Sequence, residues 1–162
     1  MRKQYQKSWH SISFKDFIAV TDKSVADTTF YQSFYNKFFE RYRSFSEIPD
    51  SYVESKMPVV RFLESKLQSK RRVLSIGCGI GLIEYLLSEH SSLKVKIVAI
   101  EPSEVAVKWI NLVPNVEVHN GFFPGVFKGN ISQDFDYGYA RALEYVFDSD
   151  EYVEFLTSIL DF

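Results

Sequence analysis

Three glycines at alternate positions, Gly77, Gly79 and Gly81, are the most informative feature of this sequence. They follow a short apolar run at residues 73–76, and a helical pattern begins directly after them. Glycine permits a sharp turn and a close approach of the backbone to a ligand. The start of the following helix offers free N–H donors and the positive end of the helix dipole, which suit an anionic group. The segment predicts a ligand-binding turn, with an ordinary strand-to-helix turn as the alternative.

An acidic residue, Glu101, ends the next predicted strand, about 20 residues beyond the glycine turn. The carboxyl ends of neighbouring parallel strands meet at one edge of a sheet, so this carboxylate is expected beside the glycines. There it can accept hydrogen bonds from both hydroxyls of a ribose. The alternative is a solvated acid that caps the next helix. The combination of turn and acid favours a ribose-containing ligand.

Two common nucleotide-binding motifs do not fit the glycine turn. A dinucleotide-binding turn has glycines at its first, third and sixth positions, whereas the sixth position here is Leu82. A P-loop ends in Gly-Lys-Ser or Gly-Lys-Thr, and neither follows here. A nicotinamide-dependent oxidoreductase is therefore disfavoured.

The elements that must position these residues alternate between β-branched runs and helical patterns from residue 71 onward. This alternation predicts an α/β fold with a predominantly parallel sheet. The predicted strands are residues 73–76, 94–100, 116–119 and 135–140. The predicted helices are residues 82–89, 103–113 and 150–160. The last of these helices is expected to turn Val153, Leu156 and Leu160 inward.

The first third of the chain is rich in aromatic residues. Phe30, Phe34, Phe38 and Phe45 recur at helical intervals, which predicts a helix with an aromatic face. A second helix is predicted to begin near Pro58, because proline is accepted in a first turn. It is expected to bury Val60, Leu63 and Leu67.

At this point the chain resembles the class I S-adenosylmethionine-dependent methyltransferase family. The resemblance covers roughly residues 57–162 and is most specific at Gly77-Cys78-Gly79-Ile80-Gly81. It continues at Ile100-Glu101-Pro102 and at residues 135–145, which are similar to the family's fourth-strand motif. The resemblance implies a Rossmann-like core at residues 57–162 with helices on both faces. Residues 1–56 are then an N-terminal, aromatic-rich helical cap.

The resemblance also implies S-adenosylmethionine as the cofactor and a site at the carboxyl ends of the strands. Gly77, Cys78 and Gly79 would line the methionine part of the cofactor. Glu101 would hold the ribose, and Pro102 would lie against the adenine.

Further residues share positions at strand ends or in the cap, and the resemblance places them around the same cofactor. After the third strand, the adenine amine and ring face would be contacted by Asn120, Gly121 and Phe122. After the fourth strand, the position beneath the sulfonium would be taken by Ala140 and Arg141, and Tyr31 of the cap would reach the carboxylate. Two residues of the glycine motif, Ser75 and Gly81, complete the set.

The chain departs from the family pattern at two of these positions. The family often has an acid where Ser75 stands, in contact with the amino group of the cofactor. A serine makes that contact only weakly or through water. An acid is also common where Asn120 stands, and an amide oxygen still accepts a hydrogen bond from the adenine amine. Both departures lower the expected affinity.

In the family, three further strands normally follow, whereas this sequence stops at Phe162. The resemblance therefore implies a C-terminally truncated sheet with strand order 3-2-1-4 and an exposed fourth strand, which is a pairing liability. A fragment of a longer protein is the first interpretation. Self-association through that edge is the second.

The chemistry expected from the resemblance is an in-line displacement, for which the protein supplies approach geometry and excludes water. Arg141, Glu144 and Tyr145 are the acceptor-side candidates. Arg141 could hold an acidic acceptor or pair with Glu144, and a solvated Glu144 is an equal alternative. We expect a methyltransferase acting on a small molecule or on a sugar, lipid or natural-product intermediate. The alternative is a non-catalytic cofactor-binding or interaction domain.

The composition narrows the partners and the compartment. The chain has 162 residues and a net charge of −2, which gives no case for nucleic acid binding. Cys78 is the only cysteine, so no intrachain disulfide forms, and no metal site is expected. No apolar stretch approaches the roughly 20 residues of a membrane span, and no signal-peptide pattern is visible. The cytoplasm is the expected location.

Overall fold

The computed structural model describes residues 8–9, 12–13, 28–90, 94–127, 134–141, 143, 147 and 149–160. They belong to two compact units, a core unit (Ser44–Arg141) and a flanking unit (Met1–Arg43 with Ala142–Phe162). In chain order the elements are β1 (Ser8–Trp9), β2 (Ile12–Ser13), α1 (Thr28–Arg41), α2 (Asp50–Leu67), β3 (Arg72–Ile76), α3 (Leu82–His90), β4 (Lys96–Glu101), α4 (Glu104–Ile110), β5 (Val116–Asn120), β6 (Tyr137–Ala140) and α5 (Ser149–Leu160).

A four-stranded sheet forms the centre of the core unit, with the order β5-β4-β3-β6 and every pair parallel. If these four strands are numbered 1 to 4 in chain order, so that β3 is strand 1 and β6 is strand 4, the order is the predicted 3-2-1-4. Both central strands are buried, and Val73, Val98 and Ala99 have no exposed surface. Burial on both faces explains why these strands are nearly continuous apolar runs. The α/β fold class is confirmed.

The register of the sheet brings the carboxyl ends of its strands together. Ile76 lies opposite Ile100 on one side and opposite Ala140 on the other. One residue further along β4, Glu101 lies opposite Asn120. Most of the predicted site residues therefore share one edge of the sheet, where ligands bind in open α/β folds.

Helix α2 begins at Asp50, eight residues before the predicted start near Pro58. Its first turn closes when the N–H of Tyr52 donates to the carbonyl of Pro49. Pro58 lies inside the helix, where it removes one backbone hydrogen bond. The helix continues past it because its apolar face is buried, as predicted, at Val60, Leu63 and Leu67.

Phe45 does not continue the aromatic row of α1, which ends at Arg41. It lies in a short 3₁₀ turn of the core unit (Phe45–Glu47), and its ring stacks on Tyr85 with 4.3 Å between centroids. The Trp109 ring lies 4.7 Å away. The regular spacing of Phe45 suggested the wrong element, because contacts with distant residues rather than helical periodicity fix its place.

The flanking unit contains a two-stranded antiparallel sheet (β1 with β2), α1 and α5. On α1, Phe30, Phe34 and Phe38 are buried as one row. Helix α5 corrects the sequence-based prediction, because Val153 (61 %), Leu156 (43 %) and Leu160 (86 %) are exposed while Phe155 is buried. Periodicity had placed those residues on one face, but it does not determine what covers that face.

No helix in the described ranges combines the length and the hydropathy needed to cross a bilayer.

Candidate functional site

The glycine turn after β3 is held against the end of β4. The N–H of Gly77 donates to the carbonyl of Ile100 at 2.9 Å. Gly77 and Gly79 have φ angles of 67° and 61°, in the left-handed region that disfavours residues with a Cβ. The turn thus presents bare backbone at the carboxyl edge of the sheet.

The third glycine of the turn has a packing role of its own. Gly81 is buried and has a φ of 70°. A Cβ at this position would lie 2.6 Å from Cγ1 of Ile110 on α4. The absence of a side chain at Gly81 therefore lets α3 begin close to α4, whereas Gly77 and Gly79 carry the turn itself.

The Glu101 carboxylate lies in the glycine turn, as the sequence predicts. Its Oε2 accepts from the N–H of Gly79 at 2.8 Å, and its Oε1 accepts from the N–H of Ser103 at 3.0 Å. The side chain is buried. Burial raises the pKa of Glu101 to about 7, although both hydrogen bonds act in the opposite direction. Because each oxygen keeps further lone pairs, the carboxylate still accepts hydrogen bonds from a ligand.

A second buried carboxylate, Glu84 in the first turn of α3, lies under the same turn. Its Oε1 accepts from the Ser75 hydroxyl at 2.6 Å and from the Tyr139 hydroxyl at 2.7 Å. Its Oε2 has no hydrogen-bond partner within the described part of the chain. Burial raises the pKa of Glu84, and the two donated hydrogen bonds lower it.

Negative charge therefore concentrates around the turn. The Glu84 charge raises the pKa of Glu101, and both carboxylates add to burial in raising the pKa of the Cys78 thiol. The ion pairs of the described residues involve Glu40 and Glu117, and neither Glu84 nor Glu101 has a basic partner. This part of the site favours a cationic ligand.

The residues that follow β4 and β5 form the next part of the edge. The Asn120 amide donates to the carbonyls of Glu101 and Pro102, each at 3.0 Å. This geometry leaves the Asn120 side-chain oxygen as an acceptor. Gly121 is half-buried, and Phe122 is 60 % exposed. An amide acceptor beside an exposed ring can receive a flat heterocycle.

The end of β6 adds positive charge to the same unit. Ala140 and Arg141 are exposed, and the charge of Arg141 acts on Tyr52 and Lys56 of α2. Burial, and secondarily Arg141, lowers the pKa of Lys56 to about 8, while burial raises that of Tyr52 to about 12. The Lys56 ammonium lies 4.5 Å from the centre of the Tyr52 ring.

Three predicted site residues belong to the flanking unit or fall outside the described residues. Tyr31 belongs to α1 of the flanking unit, where its ring lies 5.3 Å from that of Phe30. Glu144 and Tyr145 fall outside the described residues.

Sequence reasoning missed three functional candidates of the core unit, Glu84, Tyr139 and Lys56. The signal for Glu84 was present, because a lone acid interrupts the apolar pattern at the start of α3. Tyr139 and Lys56 gave no such signal, because Glu84 and Arg141, the charged residues that act on them, lie far away in sequence.

The described residues support neither a metal site nor a ligand-sized cavity elsewhere in the core unit. No three His, Cys, Asp or Glu side chains there cluster as metal ligands. A cavity of about 20 Å³, lined by Leu67, Leu87, Ile97 and neighbours, lies at the amino ends of the strands. It has room for about one water molecule and lies away from the glycine turn.

No family model matches this sequence, and no curated protein matches it. Solved structures of other proteins are similar to it, and two of them have SAH bound. The structure of a DhpI-SAH complex has a TM-score of 0.56 and 17 % identity, and the match covers 83 % of this chain and 60 % of that one. The structure of the plantazolicin methyltransferase BamL in complex with a triazolic desmethylPZN analog and SAH has a TM-score of 0.42 and 16 % identity, over 68 % and 47 % of the two chains.

The chain thus has the fold of the class I S-adenosylmethionine-dependent methyltransferases. It spans less than two thirds of the length of both matched structures, 60 % of the first and 47 % of the second.

Proposed function

We propose that this chain binds S-adenosylmethionine and transfers its methyl group to a small-molecule acceptor. The observation that carries the proposal is the 2.8 Å hydrogen bond from the Gly79 N–H to Glu101 Oε2. It brings a buried carboxylate and bare backbone together at the edge of the sheet where a ribose and an amino-acid chain can lie side by side. The matched DhpI structure is a complex with SAH, the product that S-adenosylmethionine leaves after methyl transfer.

In this proposal each part of the cofactor meets a different strand end. Glu101 accepts from the ribose hydroxyls, Pro102 lies against the adenine, and the Asn120 side-chain oxygen accepts from the adenine amine. The position of that amide supports its role, because its N–H group is already committed to backbone carbonyls. Gly121 and Phe122 complete the adenine side.

The backbone of the turn would line the methionine part of the cofactor. Gly77, Cys78 and Gly79 provide it, and Ala140 with Arg141 would lie beneath the sulfonium. The roles of Ser75, Gly81 and Tyr31 as direct contacts also remain proposals. The negative charge of Glu84 and Glu101 supports the assignment, because the sulfonium and ammonium of the cofactor are both cationic.

S-adenosylmethionine supplies a methyl group already activated by its sulfonium. The residues of this chain need only fix the line of approach and keep water out. On the acceptor side, we propose that Arg141 and Lys56 hold an acidic group of the acceptor. Two positive charges that act on each other from separate elements support an anionic ligand at that position. The roles of Glu144 and Tyr145, the cytoplasmic location and self-association through the β6 edge stay predictions.

A second candidate function is cofactor binding without catalysis, which rests on the neutral Ser75 at a position where the family often has an acid. Calorimetry with S-adenosylmethionine, SAH and NAD tests the shared part of both proposals. We expect the first two ligands to bind and NAD to bind at least about a hundredfold more weakly. Binding of NAD alone would refute both. Methyl transfer to a panel of carboxylate- and phosphate-bearing acceptors then supports catalysis, and binding without turnover across that panel supports the second candidate.

A further inference from the structure

One of the two carboxylate oxygens of Glu84 is buried without a hydrogen-bond partner among the described residues. The Ser75 and Tyr139 hydroxyls both donate to Oε1, and Oε2 is buried without a partner among the described residues. If Glu84 is ionised, Oε2 is an acceptor without a donor. If it is protonated, the proton on Oε2 has no acceptor. A buried polar atom left in this way is costly in either state.

The surroundings indicate what would satisfy that oxygen. Glu101, Cys78 and Tyr139 are the titratable groups whose charges interact with Glu84, and each is anionic or neutral. No basic side chain of the described residues pairs with Glu84. A ligand that carries positive charge and N–H donors fits this environment. A sulfonium carries the charge but donates no hydrogen bond, whereas an ammonium provides both.

We propose that Glu84 binds the ammonium group of the cofactor through Oε2, with Ser75 and Tyr139 as the residues that position its carboxylate. This inference rests on the proposed function. It means that the acid expected on β3 at position 75 is supplied instead from α3, and that Ser75 serves as a hydrogen-bond donor to it. The presence of a serine rather than an acid at position 75 then does not by itself lower the affinity for the cofactor.

Ligands that differ only at this group test the inference. SAH carries the ammonium, and 5′-methylthioadenosine lacks the amino-acid end while keeping the thioether, ribose and adenine. Glu84→Gln keeps an oxygen for Ser75 and Tyr139 but removes the charge. We expect it to weaken SAH binding by about tenfold to a hundredfold and to leave methylthioadenosine binding within about twofold. Glu89→Gln removes an exposed charge from the same helix and should change neither affinity.

The outcomes separate this inference from the proposed function. If the unmodified protein binds neither ligand, the proposed function fails first. If it binds both and Glu84→Gln weakens both equally, or weakens neither, Glu84 has a structural role and the inference is wrong. Tyr139→Phe keeps the charge but removes one of the two donors that position it, so it should weaken SAH binding less than Glu84→Gln does and leave methylthioadenosine binding within about twofold. Should Glu84→Gln fail to fold, the triple variant Ser75→Ala/Glu84→Leu/Tyr139→Phe removes the charge together with both donors and carries the same ligand comparison.

Discussion

The backbone nitrogen of Gly79 lies 2.8 Å from Oε2 of Glu101, although 22 positions separate the two residues in the sequence. The contact forms because β3 and β4 are parallel neighbours with Ile76 opposite Ile100, so that Glu101 lies one residue beyond the end of β3, beside the turn. It joins the two features that the sequence marks as chemically informative. The same contact buries a carboxylate beside a turn that has no basic partner among the described residues.

Loss of either residue of this contact should weaken cofactor binding. Glu101→Ala removes the ribose acceptor, and Gly79→Val forces a β-branched residue to a φ of 61°. We expect each variant to bind S-adenosylmethionine at least about tenfold more weakly by calorimetry. Glu104→Ala and Gly125→Ala are the matched controls, because Glu104 is exposed and a Cβ at Gly125 meets nothing within 4 Å. Unchanged affinity in both test variants would refute the site.

The stability of the ligand-free protein should fall as the pH rises from 5 to 8. The pKa of Glu101 is about 7 in the fold and 4.5 without it. The folded state therefore binds the proton more tightly, and the stability gained below pH 4.5 is lost as the pH rises through 7. The ionisation of Glu101 alone should lower the free energy of unfolding by about 3 kcal/mol as the pH rises across this range. Glu84 acts in the same direction.

Urea unfolding at several pH values measures this dependence. Glu101→Gln should flatten the profile and make the protein more stable at pH 8 than the unmodified chain. A profile that rises from pH 5 to 8 would show that the buried carboxylate is already ionised at little cost.

Gly81→Ala should destabilise the fold through its contact with α4. The new Cβ would lie 2.6 Å from Ile110 Cγ1, on a backbone with φ of 70°. Overpacking and left-handed strain together should cost about 2–4 kcal/mol. Ile110→Ala removes the clashing atom, so the double variant should lose less stability than the sum of the two single variants. Additive losses in thermal unfolding would argue that strain alone limits position 81.

Tyr139→Phe should destabilise the chain at pH 8, because one of two donors to a buried carboxylate is lost. We expect a decrease of about 1–3 kcal/mol in the free energy of unfolding. In the Glu84→Gln background the same change should cost less, because the acceptor is then a neutral amide. A double-mutant cycle measures the difference, and a coupling energy near zero would mean that the hydroxyl does not act through Glu84.

Arg141→Gln should raise the pKa of Lys56, which is about 8 in the structure. The value should stay below the ordinary 10.5, because burial is the larger cause of the shift. An NMR titration of the ¹³C-methylated lysine side chains measures it. Arg71→Gln removes a charge just before β3, at the opposite end of the sheet, and should leave the Lys56 pKa unchanged. A similar response to both variants would place Arg141 too far away to share an acceptor with Lys56.

The sequence alone determined the order of elements and the position of the main site. Apolar runs, glycines at alternate positions and Glu101 at a strand end are local signals, and the rule that parallel strands end at one edge is general. Together they predict that Gly79 and Glu101 meet, and the resemblance to the methyltransferase family adds the 3-2-1-4 strand order; both are found.

Only the tertiary structure decided what lies under the glycine turn and what packs elsewhere. The Glu84 carboxylate meets Ser75 and Tyr139, whose hydroxyls come from two neighbouring strands of the same sheet. Phe45 stacks on Tyr85 and does not belong to the aromatic row of α1. In α5, the residues that the periodicity groups on one face are exposed. Periodicity determines which side chains share a face. What meets that face depends on contacts between residues distant in sequence, and these become defined only when the chain packs.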